Sequence, residues 1–406
     1  MKSLLFLGRS HHKTRLGPLA LALEQHGHEV VAFTCNNFHN QDPHTEGMPP
    51  NSFLHASAYP IPQEADKSLV GLLGDVYGHV LEGADDLRAY VAPFWLVGGL
   101  REANSLIYQF RAMFQEQKPD IVIGLHVLNF FFRIAAYVAH EMGIPVVVLQ
   151  EGKLRLRDQQ TMNKQSMAGD YVNKILVWSE QSKAEYIKAG IPEDKLAPVG
   201  ILQLDQWLEI KANPELYNQY RGKMQQHLKI PDWPIVTFAF PLLGRYEGNP
   251  LKAMEEIVGW AKHRKLALVL KYHPFESERT IGEVRSWLDG IGTDNVRMAM
   301  EGEATSLLMV SNLVLTQHSS VADEAVGLGV PVAEIDWDGI GILESLASQG
   351  VAVHIGKGDM DKLDKILSGE LTIDRAVRLA WCKDNLGILD GQSSNRAVAE
   401  IERLVR

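Results

Sequence analysis

The sequence predicts an α/β protein built from two doubly wound parallel-sheet domains that face each other across a cleft. Three observations lead there. Short β-branched runs alternate with longer helical patterns along most of the chain, as in parallel strands joined by crossover helices. The alternation comes as two series, separated by a polar helical stretch at residues 213–228 and the punctuating Ile230-Pro231-Asp232-Trp233-Pro234. At 406 residues the chain is also too long for one ordinary core, and about 150 residues per domain suggests two units.

The first series places strands at residues 3–7, 29–33, 120–124, 146–149 and 175–178, with an amphipathic helix over 14–26 and a mostly helical insertion at 66–117. The second places strands at 235–240, 267–271, 296–300, 313–316, 330–335 and 351–354. The predicted division is a first domain over 1–205, a second over 206–375, and C-terminal helices over 376–406 that pack back toward the first. The junction falls near 200–212.

Composition narrows the function. Hydrophobic residues at 46% and charged residues at 22% are the mixture of a globular protein. A net charge of −10 argues against a general nucleic-acid binder, which needs clustered Lys and Arg, so phosphate binding is expected to be local. Cys35 and Cys382 stand far apart without a CxxC partner, which supports neither a disulfide framework nor a thiolate metal site and fits a reducing cytoplasm. The apolar stretch before Gly8 and Arg9 reads as a first strand, too short for a signal-peptide core. No run approaches the roughly 18 apolar residues of a spanning helix, and the nearest, 90–100, contains Pro93 and two glycines. A peripheral role at the inner face of a membrane stays open, with the Trp95 region as a docking surface; the oligomeric state is not fixed by the sequence.

In open parallel sheets the ligand crevice lies beyond the strand C-termini, where helix N-termini present unpaired N–H groups. That directs attention to loops 8–14, 126, 151–157, 241–248, 273–279 and 317–324. In the last of these, Ser319 and Ser320 open a helix whose N–H groups suit a phosphate, and Glu324, one turn on, suits ribose hydroxyls. The plainer reading is an N-cap and a first-turn acid. In Lys271-Tyr272-His273-Pro274, the proline ends the strand and holds His273 at the crevice, where it can donate to a phosphate oxygen; a lone histidine after a strand also serves structure alone.

Glu151 ends an apolar strand before a basic loop and is the preferred general base for an acceptor hydroxyl, or else a strand-end acid paired with Arg155 or Lys153. His11 and His12, in the loop Arg9-Ser10-His11-His12-Lys13-Thr14, are rival bases, and His126 is a third. Lys13, Arg15 and Arg155 suit an anionic acceptor; the alternative for the first loop is a solvated helix cap. Arg245 in loop 241–248 can meet a departing phosphate, or lie on the surface. Asp336-Trp337-Asp338 matches a metal-binding DxD formally, but that motif belongs to a fold with one nucleotide-binding domain, so no metal is assigned. HExxH, Walker A, GxSxG and GxGxxG are absent, which removes hydrolase, kinase and dehydrogenase readings.

With the β-α-β ordering, the His273-Pro274 pair and Ser319-Ser320-Val321 resemble the motifs of bacterial surface-carbohydrate transferases of the GT-B fold. These include CDP-glycerol glycerophosphotransferases and the CMP-sugar-using sialyl- and Kdo-transferases of capsule synthesis. The resemblance implies two Rossmann-type domains, a nucleotide phosphate held by His273, Ser319 and Ser320, and no cofactor beyond a CMP-, CDP- or UDP-linked donor. It further implies transfer of a sugar or polyol phosphate to a carbohydrate or lipid-linked acceptor in surface polysaccharide synthesis. Asp390-Gly391-Gln392-Ser393-Ser394-Asn395-Arg396, followed by a helix to Arg406, also looks like that family's ending.

The non-hydrolysing UDP-N-acetylglucosamine 2-epimerases are similar over nearly the whole chain. Their EAGLR resembles Glu151-Gly152-Lys153-Leu154-Arg155, and their SGG..EEA resembles residues 318–325. The chain departs from them where the first loop lacks arginine-proline-glutamate and where Leu125-His126-Val127 replaces an HGDT carboxylate that epimerisation needs. The expectation is therefore a metal-independent transferase, with an epimerase as the alternative and a non-catalytic nucleotide-sugar-binding protein as the third reading.

Overall fold

A computed structural model describes residues 1–8, 12–35, 53–61, 87–125, 130–153, 171–239, 250–272, 276–299, 304–317, 319, 321–336 and 345–406. Among these residues the first sheet has seven parallel strands: β1 (Lys2–Phe6), β2 (Glu29–Thr34), β3 (Phe53–His55), β4 (Ile121–Gly124), β5 (Val146–Leu149), β6 (Lys174–Val177) and β7 (Leu196–Pro198). Their order is β3-β2-β1-β4-β5-β6-β7. The second has six: β8 (Ile235–Ala239), β9 (Ala267–Lys271), β10 (Val296–Ala299), β11 (Leu313–Thr316), β12 (Val332–Ile335) and β13 (Val353–Ile355), ordered β10-β9-β8-β11-β12-β13 and again parallel.

Around the first sheet lie α1 (His12–Gln25), α2 (Leu87–Gln117), α3 (Phe130–Glu141) and α4 (Glu180–Lys188). Helices α5 (Asp205–Ala212) and α6 (Pro214–Leu228) lead to the second sheet, which carries α7 (Pro250–Lys262), α8 (Glu278–Ile291), α9 (Ala304–Val310), α10 (Val321–Gly327) and α11 (Asp361–Ser368). The chain ends in α12 (Arg375–Asn385) and α13 (Ser393–Val405).

Helices on both faces explain why the inner strands read as unbroken apolar runs: β1 sends Leu4 and Phe6 into one core and Leu5 into another, and both are closed to water. The polar stretch at 213–228 is a helix because Asn213 caps it, its side chain accepting from the N–H groups of Glu215 and Leu216, with Pro214 at the first position.

The expected strands occur in the expected order, with ends moved by one or two residues. Strand β12 starts at Val332 rather than Val330, because Val330 is drawn into the turn after α10 by its N–H bond to the Ala325 carbonyl. Strand β13 starts at Val353 because the Val351 N–H closes a turn on Leu346. Two strands escape the sequence pattern: β3 and β7, three residues each, at the two edges of the first sheet. Three residues are too few to show a period of two.

The C-terminal segment crosses back onto the first half. Ala397, Val398 and Ile401 of α13 share a core with Leu16, Leu19 and Leu23 of α1. Asp205 accepts from the N–H groups of Ser393 (3.2 Å) and Ser394 (2.7 Å), and Arg396 donates to the Val199 carbonyl at 2.8 Å. Backbones meet closely here: Gly387 has φ +85°, and a Cβ on it would collide with the Trp178 carbonyl, while one on Gly200 (φ +98°) would collide with the Ser393 hydroxyl.

Candidate active site

Strand order reverses between β1 and β4 in the first sheet and between β8 and β11 in the second, and ligand crevices form beyond the strand C-termini at such points. Helix α1 follows β1 and α10 follows β11, so each descends from a switch-point strand. The two are joined. Arg15 Nη1 of α1 donates to Glu324 Oε1 of α10 at 2.7 Å, and Thr305 Oγ1 of α9 donates to Glu324 Oε2 at 2.8 Å. Glu324 is only 4% exposed, and these two donors satisfy one lone pair on each of its buried oxygens.

The turn entering α10 is built from β11 itself: Thr316 Oγ1 accepts the Ser319 N–H at 3.0 Å, and the Ser319 carbonyl accepts from Ala322. At the other end of α10, Lys211 Nζ donates to the Leu328 carbonyl at 2.6 Å and Arg378 Nη1 to that of Val326 at 3.0 Å. Burial, reinforced by neighbouring Arg378, pushes the Lys211 ammonium down to about 8. The short helix thus carries two acids, Asp323 and Glu324, in its first turn and is met by two cations at its end, the arrangement its dipole favours.

Opposite, His12 is buried, and its Nδ1 accepts the Gly8 N–H at 3.1 Å, closing the turn between β1 and α1 from inside. The neutral ring then carries its proton on Nε2. After β5, the half-buried Glu151 sits in a turn fixed by buried Gln150. Gln150 Oε1 accepts the Trp178 N–H (2.8 Å), Gln150 Nε2 donates to the Gly152 carbonyl (3.1 Å), and the Gln150 carbonyl accepts from Trp178 Nε1 (3.1 Å). Lys153 Nζ lies 5.4 Å above the Trp381 ring of α12, and Trp381 Nε1 donates to Gln349 Oε1 at 2.6 Å. Lys271 ends β9 as a buried cation, its Nζ donating to the Tyr272 carbonyl at 3.1 Å and lying 5.2 Å from that ring.

Of the residues singled out in the sequence, Arg15 and Glu324 are brought into contact, and Ser319 lies in the turn before Glu324's helix. Glu151 and His12 lie in the turns after β5 and β1. His11, His126, Arg155, Arg245, His273, Pro274 and Ser320 lie outside the described residues, as do the side chains of Lys13 and Trp95. Thr305, Gln150 and the buried end of Lys271 were given no role. The signal for the last two was a polar residue closing an apolar strand; Thr305 had none.

Among the described residues, no group of three or more His, Cys, Asp or Glu side chains is placed to hold a metal ion, and no helix is long and apolar enough to cross a membrane. Cys35 and Cys382 are unpaired, and burial pushes their thiols up to about 12 and about 11, away from nucleophilic thiolates.

No protein-family model and no curated protein sequence matches the chain. Solved structures do. A UDP-GlcNAc 2-epimerase from Neisseria meningitidis bound to UDP-GlcNAc is similar at a TM-score of 0.62 and 15% identity, over 99% of this chain and 100% of that one. A Methanocaldococcus jannaschii UDP-GlcNAc 2-epimerase in complex with UDP-GlcNAc and UDP gives 0.62 and 17%, over 99% and 100%. The wall teichoic acid polymerase TagF, soaked with CDPG, gives 0.60 and 11%, over 99% and 88%. The fold is thus GT-B-like, with two parallel-sheet α/β domains. Identities of 11% to 17% carry the likeness no further than the fold.

Proposed function

We propose that the chain is a nucleotide-sugar-dependent transferase, moving a sugar or polyol-phosphate group from a CMP-, CDP- or UDP-linked donor to a hydroxyl of a carbohydrate or lipid-linked acceptor. The observation that carries this reading is the Arg15–Glu324 contact at 2.7 Å, which joins the helices behind the two switch-point strands. A ligand at either crevice is then within reach of groups from both halves.

In this reading the second half holds the donor. Glu324 takes the ribose hydroxyls, while Ser319, Ser320 and His273, with Arg245, meet the phosphate. The leaving group's charge is met by side-chain donors and cations, so the reading invokes no metal. The first half presents the acceptor. Glu151 is favoured for the acceptor proton over His11, His12 and His126 because Gln150 fixes its turn, while His12 already spends one ring nitrogen on Gly8. Lys13 and Arg155 face an anionic acceptor, and site and acceptor belong to surface polysaccharide synthesis at the cytoplasmic face of a membrane.

Similarity to epimerases over 99% of the chain favours a second reading, a UDP-N-acetylhexosamine 2-epimerase. Leu125, which follows β4, counts against it, because a carboxylate is required in that loop for proton transfer. Calorimetry with CMP, CDP, UDP and GDP, followed by incubation with UDP-N-acetylglucosamine, separates the cases. Transfer predicts selective binding of one nucleotide, weakened by Glu324→Gln, with no 2-epimer formed. Appearance of the 2-epimer establishes the second reading, and binding of none of the four nucleotides overturns both.

A further inference from the structure

The Arg15–Glu324 pair has an unusual geometry for a half-buried guanidinium on a buried carboxylate. Such pairs commonly form a fork, with two parallel N–H···O bonds that use both carboxylate oxygens. Here the fork is split. Arg15 reaches only Oε1, through Nη1, and Oε2 is taken by the Thr305 hydroxyl at 2.8 Å. Arg15 makes no other hydrogen bond among the described residues, and its side chain keeps 24% of its exposure, whereas that of Glu324 keeps 5%. A guanidinium has five N–H donors, so among the described residues most of its donor edge is uncommitted, and its partial exposure leaves it reachable from solvent.

We infer that the uncommitted edge of Arg15 is a binding site for the phosphate of the nucleotide, and that Thr305 is the residue that keeps this edge free. The inference rests on the proposed nucleotide reading and assigns Arg15 to the donor rather than to the acceptor. Thr305 blocks the second arm of the fork. It also fixes the plane of the Glu324 carboxylate, whose remaining acceptor capacity is left for the ribose hydroxyls of such a nucleotide. Arg15 comes from the first half of the chain, so a nucleotide that engages both Glu324 and Arg15 is held by both halves at once. A nucleoside, lacking the phosphate, is held by the second half alone.

The test compares nucleoside with nucleotide by calorimetry: cytidine against CMP and uridine against UMP, for the parent protein and for Arg15→Ala, Arg15→Lys and Thr305→Val. The parent binds at least one nucleotide more tightly than its nucleoside. In Arg15→Ala that preference falls by about tenfold or more while nucleoside affinity stays within about twofold, as expected for loss of a charge-assisted bond to phosphate. Arg15→Lys keeps part of the preference, because the charge remains and the planar edge is lost, and it carries the comparison if the alanine variant does not fold. Thr305→Val lowers the preference by a smaller factor, about threefold, as the guanidinium closes onto both carboxylate oxygens. If Arg15→Ala weakens nucleoside and nucleotide equally, or changes neither, Arg15 is a structural ion pair and the inference fails while the nucleotide reading stands. A parent protein that binds neither class overturns both.

Discussion

Glu324 and Glu334 belong to the same half of the molecule and are equally buried, each 4% exposed, yet their surroundings differ in kind. Glu334, on β12, accepts from the N–H groups of Leu346 (2.9 Å) and Ala347 (2.7 Å) and from the Ser345 hydroxyl, three donors from a single turn of its own half. Glu324 accepts from two side chains, one of them contributed by the other half of the chain. Burial alone therefore does not mark a functional carboxylate. A carboxylate filled by backbone donors ties down a loop; one held by movable side chains still has acceptor capacity for a ligand.

The contrast can be broken by mutation. Glu334→Ala is expected to have the largest effect, because it strands two backbone N–H groups and a hydroxyl: about 3 to 5 kcal/mol of stability, read by denaturant titration, with nucleotide affinity of the folded fraction unchanged. Glu324→Gln keeps the volume and an acceptor for Thr305 but removes the charge facing Arg15. It should cost about 1 to 2 kcal/mol of stability and lower nucleotide affinity about tenfold. Equal stability losses with no change in affinity would put the two glutamates in one class.

The cations behind α10 sharpen the same point through pH. Lys211 is pushed from 10.5 down to about 8, so between those values the unfolded chain holds a proton that the folded one has released. Its contribution to stability therefore rises with pH across that window, and the penalty for burying the charge is fully present below it. The stability difference between the parent and Lys211→Met should shift toward the parent as pH is raised from 8 to 10.5, and a flat difference would refute the assignment. The smallest effect is expected at Lys153→Met. It removes the contact over Trp381 and should cost about 0.5 to 1 kcal/mol, seen as a modest fall in melting temperature.

The sheets were legible because inner parallel strands must be apolar on both faces, which leaves an unmistakable run in β5, β9 and β11, all foreseen to the residue. The edge strands β3 and β7 were not, since their three residues satisfy no period. At the site, Arg15 and Glu324 were both visible as candidates, each following a strand, but were assigned to different ligands. Their contact spans 309 positions, and no local pattern encodes it. His12 shows the opposite limit. In a run of His and Lys it looked like a solvated cap or a base, whereas its short distance from Gly8 lets the ring fold inward and accept a backbone N–H. Thr305 stood in no motif at all; its importance comes from which oxygen it occupies.

The crossing of the C-terminal segment over Gly200 has a consequence for how the protein is made. Ser393 meets Asp205 across 188 positions, and α13 then completes the core that α1 began. During synthesis the first sheet can emerge and pair its strands, but part of the core that α1 begins stays uncovered until α13 leaves the ribosome. The usual vectorial order, one domain finished before the next begins, is thereby broken. A ribosome stalled before residue 393 would display the exposed flank of α1 as a chaperone-binding surface, and release of α13 would erase it.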